Sequence, residues 1–423
     1  MSPLSAQQKS PGLHFESDTQ SDDRSSWSPA NAVSLAAGLL TAFTVSIVGE
    51  MPVGELVLIA AVGWLALTVL TTKQLPGNLR HRQLLWVMLG AQIVASCAYV
   101  FSDLYGGSSL HDIQRGWARM GFLAIDILGI AYLFGSSRRN FIWYLTGQLA
   151  GDVIHALLFG ALYDDLWKFG VGIPLTYLAL ALASRGGAWL TAGVACLAAV
   201  THAAMDFRSS ALACLAVAAL TALQRLPRIF RLWVVPAMLI VTVAGFVAVR
   251  QIQANDPKRA TRSDVARSSM LIAAWEGIQR HPLAGNGSWF SHSEVFADFM
   301  IIRQDRARLA HVGGFPEANE DPGTVAFHSQ ILVALAEGGI VGGCFFMLFG
   351  ILLIDALYRL TFRRTWQPHH PVFALMMLLS LWNLGFSPFS GAHRVYVAAT
   401  CGVLLLFYAE GERLRPRTGG PIR

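Results

Sequence analysis

The chain has 423 residues, 54% of them hydrophobic and 14% charged, and a formal net charge of +6. Soluble domains carry roughly 25% charged residues, so this much apolar surface cannot all enter an aqueous core and lipid must cover part of it. An ordinary soluble enzyme is excluded, and the continuous apolar runs, free of period-two alternation, exclude a membrane β-barrel.

Residues 1–28 are polar and read as a disordered cytoplasmic tail, with no basic stretch of the kind that opens a signal peptide. Apolar runs then predict helices near 30–49, 52–71, 83–103, 119–136, 140–161, 168–184, 187–203, 208–224 and 229–250. A long polar stretch, 251–326, interrupts them, and three more helices follow near 327–357, 371–387 and 393–411, before a tail at 412–423. The fold class is therefore an all-α polytopic membrane protein of about twelve transmembrane helices. One large loop, itself helical, lies between the ninth and the tenth. Cys97, Cys196, Cys214, Cys344 and Cys401 all sit in apolar runs and read as small buried hydrophobes.

Basic residues set the orientation. With the N-terminus inside, sixteen Arg and Lys fall on the cytoplasmic side, including Lys73, Arg138, Arg228 and Arg363. The opposite short loops hold five: Arg115, Arg119, Lys168, Arg208 and Arg394. This positive-inside bias accounts for the net charge without a nucleic-acid partner and puts the 251–326 loop outside. The cytoplasmic loops are too short for a nucleotide-binding domain, and no GxxxxGK[ST] or GxGxxG motif is present.

Within the loop, Ser263 or Asp264 is expected to cap a helix running to about Gln279, with Met270, Leu271, Ala274, Trp275 and Ile278 as its apolar side lying on the membrane surface. A second helix is expected over Ser293–Leu309. No paired carboxylates or DxD pattern mark a metal site; Glu317, Glu320 and Asp321 read first as a turn at Asp321-Pro322-Gly323. Neither a metal nor a cofactor is called for.

Polar residues collect at outward helix starts: His202 and Arg208, His328, and Arg394. A helix N-terminus with unpaired N–H groups, joined by a bidentate guanidinium, suits phosphate oxygens. The plainer reading of each is an Arg reaching for headgroups and a His serving as a polar cap. Asp126 and Asp152, with His155 beside the latter, lie inside apolar runs and either line a cleft or pair with each other.

Three pieces, in order, carry a resemblance: Arg208 opening a helix; Arg267…Trp275…Pro282-Leu283-Ala284-Gly285-Asn286-Gly287; and His328-Ser329-Gln330…Glu337-Gly338-Gly339…Gly342. Over roughly 200–345 they resemble the O-antigen ligase and polymerase superfamily, with Ser329 standing where that family usually has Asn. The resemblance implies a metal-independent, inverting glycosyltransferase of the bacterial inner membrane, with its site on the periplasmic face. Its donor would be a glycan on undecaprenyl pyrophosphate. Its acceptor would be lipid A–core for a ligase, a carrier-linked repeat unit for a polymerase, or a protein for an oligosaccharyltransferase. The roles implied are His328 as base and Arg208 and Arg267 on the pyrophosphate, with Glu337, Arg394, His202 and Ser329 as secondary candidates. A neutral imidazole is a suitable base near neutral pH, and guanidinium groups stabilise a departing pyrophosphate. A polysaccharide transporter is the rival of another class, but it would place its polar residues near the midplane.

Overall fold

The computed structural model describes residues 27–47, 49–80, 82–135, 137–159, 166–224, 257–289, 301–302, 304–305, 328–363, 366–389 and 391–413. Over these residues the chain is overwhelmingly helical. Five helices are long and apolar enough to cross a membrane: α2 (Val53–Thr72), α4 (Gln83–Gly106), α5 (Leu110–Phe134), α12 (Cys344–Phe362) and most of α14 (Gly391–Arg413). Shorter apolar helices accompany them, among them α1 (Pro29–Leu40), α7 (Gly172–Ala183), α8 (Ala188–Ala204), α9 (Arg208–Leu223), α11 (Gln330–Gly342) and α13 (His370–Phe386). Helix α3 is a single turn at Gly77–Arg80, α6 spans Arg138–Phe159, and α10 spans Pro257–Arg280. The ninth predicted helix, 229–250, and residues 1–26 of the tail expected to be disordered lie outside the described residues.

Three differences from the expected helices matter for the site. The first run does not continue to residue 49. It stops at Leu40, and an antiparallel hairpin of β1 (Thr44–Ser46) and β2 (Glu50–Pro52) follows. Thr44, Val45 and Ile47 favour extended backbone, and Gly49 supplies the left-handed turn residue (φ +79°). The second difference is that α5 starts at Leu110, not near 119. Ser109 caps it, its hydroxyl accepting from the Asp112 N–H (3.2 Å). Arg115 and Arg119 are therefore helical residues and not loop cations. Finally, the run 327–357 is two helices, α11 and α12, which part at Gly343, and α11 is itself kinked at Gly339, which leaves the helical conformation (φ +66°, ψ −168°).

The packing is that of a membrane bundle, with small residues and polar pairs where helices approach. Gly147 and Gly151 of α6 let its backbone meet that of α1; a Cβ on Gly147 would lie 2.1 Å from the Leu35 carbonyl oxygen. Asn31 on α1 donates to the Asn140 side chain (2.6 Å), which donates in turn to the Leu133 carbonyl (2.6 Å). The central core joins α4, α5, α12, α13 and α14 through Tyr99, Phe134, Phe345, Phe346, Phe373 and Phe407.

The two ends of the bundle differ in chemistry. One end carries the hairpin, the α4–α5 turn, the loop before α14 and the 281–289 loop. The other carries a charge lock on Glu410, which accepts from Arg138 (3.0 Å) and Arg363 (3.1 Å) and contacts His369 (2.6 Å) and His370 (3.0 Å). That lock ties together the ends of α6, α12, α13 and α14.

Candidate functional site

The break at Gly339 frees backbone groups that lipid cannot satisfy, each at a cost of several kcal/mol. The loop after α10 takes them up. The Asn286 N–H donates to the Ala336 carbonyl (2.9 Å), the Gly287 N–H to the Glu337 carbonyl (3.0 Å), and the Ile340 N–H donates back to the Pro282 carbonyl (2.8 Å). The Asn286 side chain adds bonds to the Gly277 and Ala336 carbonyls (3.0 and 2.9 Å).

Two glycines make this approach available. Gly285 and Gly339 both have positive φ, +71° and +66°. A Cβ on Gly285 would stand 2.2 Å from the Glu337 carbonyl oxygen, and one on Gly339 would stand 2.1 Å from that of Leu283. The Pro-Leu-Ala-Gly-Asn-Gly and Glu-Gly-Gly sequences are thus two halves of one lock. Gly285→Ala is expected to cost at least about 1–2 kcal/mol for its left-handed backbone alone, and more from the collision. A thermal melt of the full-length protein should show this, with Gly90→Ala, whose Cβ would meet nothing within 4 Å, as the neutral comparison.

Helix α4 holds the far side of the loop. The Ser288 N–H and hydroxyl donate to the two oxygens of Asp103 (2.5 and 2.9 Å), and the Ser102 hydroxyl donates to the Glu337 carbonyl (2.6 Å). Trp117 Nε1 also donates to Asp103 (2.9 Å). Trp289, next in the loop, is a non-glycine residue with φ +68°. Its N–H donates to Glu337 Oε1 (2.9 Å), and the other carboxylate oxygen of Glu337 receives Arg119. Strained backbone at a cavity wall persists only where its surroundings hold it, and here Glu337 and Asp103 do so.

The result is a cavity of about 340 Å³ at this end of the bundle. Arg115 and Arg119 of α5, Trp289, the hairpin, and Phe389 and Arg394 wall it. The guanidinium carbons of Arg115 and Arg119 stand 4.2 and 4.8 Å from the Trp289 ring centroid. Arg394 is fixed by a bidentate pair with Glu55 of α2 (3.0 and 2.9 Å), beside which lies Asp126 of α5. Both Arg119 and Arg394 are thus buried cations held by buried carboxylates, a pairing costly to break from one side.

The sequence-predicted site residues are distributed as follows. His328 is exposed, immediately before α11, and within electrostatic reach of His393, the neighbour of Arg394. Ser329 is turned into the protein: its hydroxyl accepts from the Leu332 N–H (3.3 Å) as the cap of α11 and donates to the Leu384 carbonyl (3.2 Å). Serine caps about as well as asparagine, so the backbone ahead of α11 is held despite the departure from the family's residue. Glu337 and Arg394 come together with the cavity.

Arg208 does not line the cavity; it opens α9 and pairs with Asp206 (3.0 Å), partly exposed. Arg267 lies within α10, and its side chain is outside the described residues. His202 is fully buried, accepting from Trp167 Nε1 (2.9 Å) at Nδ1 and contacting Thr176 (3.0 Å) at Nε2. Because the Thr176 hydroxyl already donates to the Gly172 carbonyl, Nε2 carries the proton, and this imidazole is satisfied in the packing of α7 and α8.

Asp126 and Asp152 are not hydrogen-bonded to each other; Asp152 faces the turn at Gly170, and His155 packs between Phe43 and Phe159. Among the described residues, His369, His370 and Glu410 have metal-ligand chemistry, with ligand atoms within 4.8 Å of one another. The oxygens of Glu410 already receive two guanidinium groups, so the donor set fits a charge lock better than a cation site.

Helix α10 reaches the site with its inner face. Met270, Ala273, Ala274 and Ile278 pack on Leu332, Val333 and Ala336 of α11, while Leu271 and Trp275 stay exposed. The expected helix is present and starts at Pro257, ahead of Ser263. Of the second expected loop helix, residues 301–302 and 304–305 are helical and the rest lies outside the described residues.

Arg115, Arg119, Glu55, Asp103 and Trp289 were not singled out from the sequence as site residues. A signal did exist for the arginines: Ser109-Leu110-His111-Asp112 has the spacing of a helix start, which puts Arg115 and Arg119 one turn apart on one face.

No curated protein matches the chain. Residues 194–347 match the family model described as O-antigen ligase (Wzy_C). That family comprises glycosyltransferase-like membrane ligases and polymerases acting on lipid-linked glycans and lipid acceptors. The matched segment contains most of α8, then α9, α10, the glycine loop and the kinked α11, and the last two build the lock described above. This multi-pass membrane protein carries, over residues 194–347, a domain that matches the O-antigen ligase family.

Proposed function

We propose that the protein transfers a glycan from undecaprenyl pyrophosphate to a lipid A–core acceptor on the periplasmic face of the bacterial inner membrane. The observation that carries this reading is the locking of the two matched segments, 282–289 and 337–340, against a guanidinium-lined cavity at the end of the bundle that holds His328. In this reading His328 removes the proton of the acceptor hydroxyl as its oxygen attacks the anomeric carbon. The bond from that carbon to the pyrophosphate oxygen breaks, its electron pair stays on the pyrophosphate, and the configuration inverts. Arg208 and Arg267 stabilise the departing charge. The Arg208–Asp206 pair leaves the guanidinium partly exposed, and such exposed pairs are weak enough to exchange for a phosphate.

The test is a reconstituted transfer assay with purified full-length protein, carrier-linked glycan and lipid A–core. Product on lipid A–core supports ligase activity; carrier-linked chains that lengthen, with lipid A–core untouched, would replace it with polymerase activity. Arg208→Lys and Arg267→Lys are each expected to lower the rate about tenfold or more, because Lys keeps the charge and loses the planar two-pronged donor. Full activity in the double Lys variant would remove both from the pyrophosphate.

A further inference from the structure

Among the described residues, three donors on the walls of the cavity lack the acceptors that buried donors ordinarily have. Arg115 is half-buried and stacked on Trp289, and among the described residues it has no carboxylate partner. Arg119 is almost wholly buried, and its Nε makes no hydrogen bond, although its terminal nitrogen is held by Glu337. The indole Nε1 of Trp289 is likewise buried without an acceptor. Burying one such donor unpaired costs free energy, and native structures rarely leave several side by side. Glu50 is the single carboxylate among the described lining residues, and Arg394 adds a further cation to the same wall. The wall therefore offers donors and positive charge to a ligand that is rich in acceptors and anionic.

We infer that Arg115, Arg119 and Trp289 build a phosphate-binding subsite that the matched segment by itself does not supply, since both arginines lie on α5, outside residues 194–347. Its geometry fits a phosphoryl group. Arg115 provides an uncommitted guanidinium, Arg119 a fixed one whose orientation is set by Glu337, and Trp289 an N–H donor beside them. The rigidity is built in, because Trp289 is held by its own N–H on Glu337 and by two cations stacked against its ring. The phosphate could belong to the pyrophosphate of the lipid carrier or to a phosphorylated sugar of the acceptor. Only the naming of these two sources rests on the proposed function.

The test measures binding, without turnover, to the full-length protein in nanodiscs. The probes are inorganic pyrophosphate, undecaprenyl pyrophosphate, and lipid A–core with and without its phosphates. Arg115→Gln is expected to weaken the phosphate-bearing ligand about tenfold or more, the loss expected for a charge-assisted hydrogen bond. Trp289→Phe keeps the ring, removes only the N–H, and is expected to weaken it several-fold. Arg115→Lys should recover part of the loss.

Weakening confined to undecaprenyl pyrophosphate identifies the donor as the source; weakening confined to phosphorylated lipid A–core identifies the acceptor. Unchanged affinity for every probe in folded Arg115→Gln and Trp289→Phe overturns the subsite, as does equal weakening of the phosphate-free acceptor. If the wild-type protein shows Arg115-dependent binding and no transfer, the subsite stands and the proposed function falls. The reverse result removes the subsite alone.

Discussion

His328→Ala is expected to lower glycan transfer by about 10²–10⁴-fold, the usual cost of losing a general base, while the protein still folds and inserts. The side chain is exposed at the start of α11, so its removal opens no cavity in the core. The helix start itself is secured by Ser329, whose hydroxyl caps α11 and reaches the Leu384 carbonyl. Donor binding should survive, because the proposed pyrophosphate contacts are arginines. The measurement is the reconstituted assay read beside carrier-lipid binding. Near-normal turnover in the Ala variant would take the base role from His328. Lost donor binding in a folded variant would move it to the phosphate site. His393 lies within electrostatic reach, so His393→Ala is the natural companion: if it carries the loss and His328→Ala does not, the base has been assigned to the wrong imidazole.

Arg119→Met is expected to destabilise the protein by about 3–5 kcal/mol, because it leaves the carboxylate of Glu337 buried without its cation. Arg119 and Glu337 are both almost completely buried, on α5 and α11, helices far apart in the chain. The loss should reach beyond stability. Glu337 also accepts the Trp289 N–H, so its carboxylate fixes the loop that walls the cavity. Pairing Arg119→Met with Glu337→Gln removes the charge while keeping an acceptor for Trp289, and should recover much of the loss. Thermal or denaturant unfolding of the four proteins in this cycle measures the coupling. A folded, stable Arg119→Met, with no coupling to Glu337→Gln, would show that the pair does not hold the site.

Much of this protein was legible in its residues. The apolar runs announced the helices, because lipid tolerates backbone only when its hydrogen bonds are internal. The glycine-bearing segments 282–287 and 337–342 were visible as motifs, and the family model covers the stretch in which they lie. The helical character of 263–279 followed from its apolar spacing, but the face read from it held only in part: Met270, Ala274 and Ile278 pack on α11, while Leu271 and Trp275 stay exposed. Arg394 and Glu337 stood out as charged residues at or inside apolar runs.

What the sequence alone could not decide was which of these residues meet. Hydrophobicity measures burial and not partnership, so nothing in the sequence pointed to Glu55 until α2 and α14 brought it to Arg394. His202 carried the same outward signal as His328, yet Trp167 and Thr176, from separate elements, enclose it. The break at Gly339 was hidden in a continuous apolar run, because its freed carbonyls are repaid by a loop some fifty residues earlier, between Pro282 and Gly287. Trp289, Arg115 and Arg119 gained their character only from contact with one another. Local pattern determined the helices and the motifs, since those depend on neighbours along the chain. The cavity depends on contacts between residues more than a hundred positions apart, and only the tertiary structure supplies those.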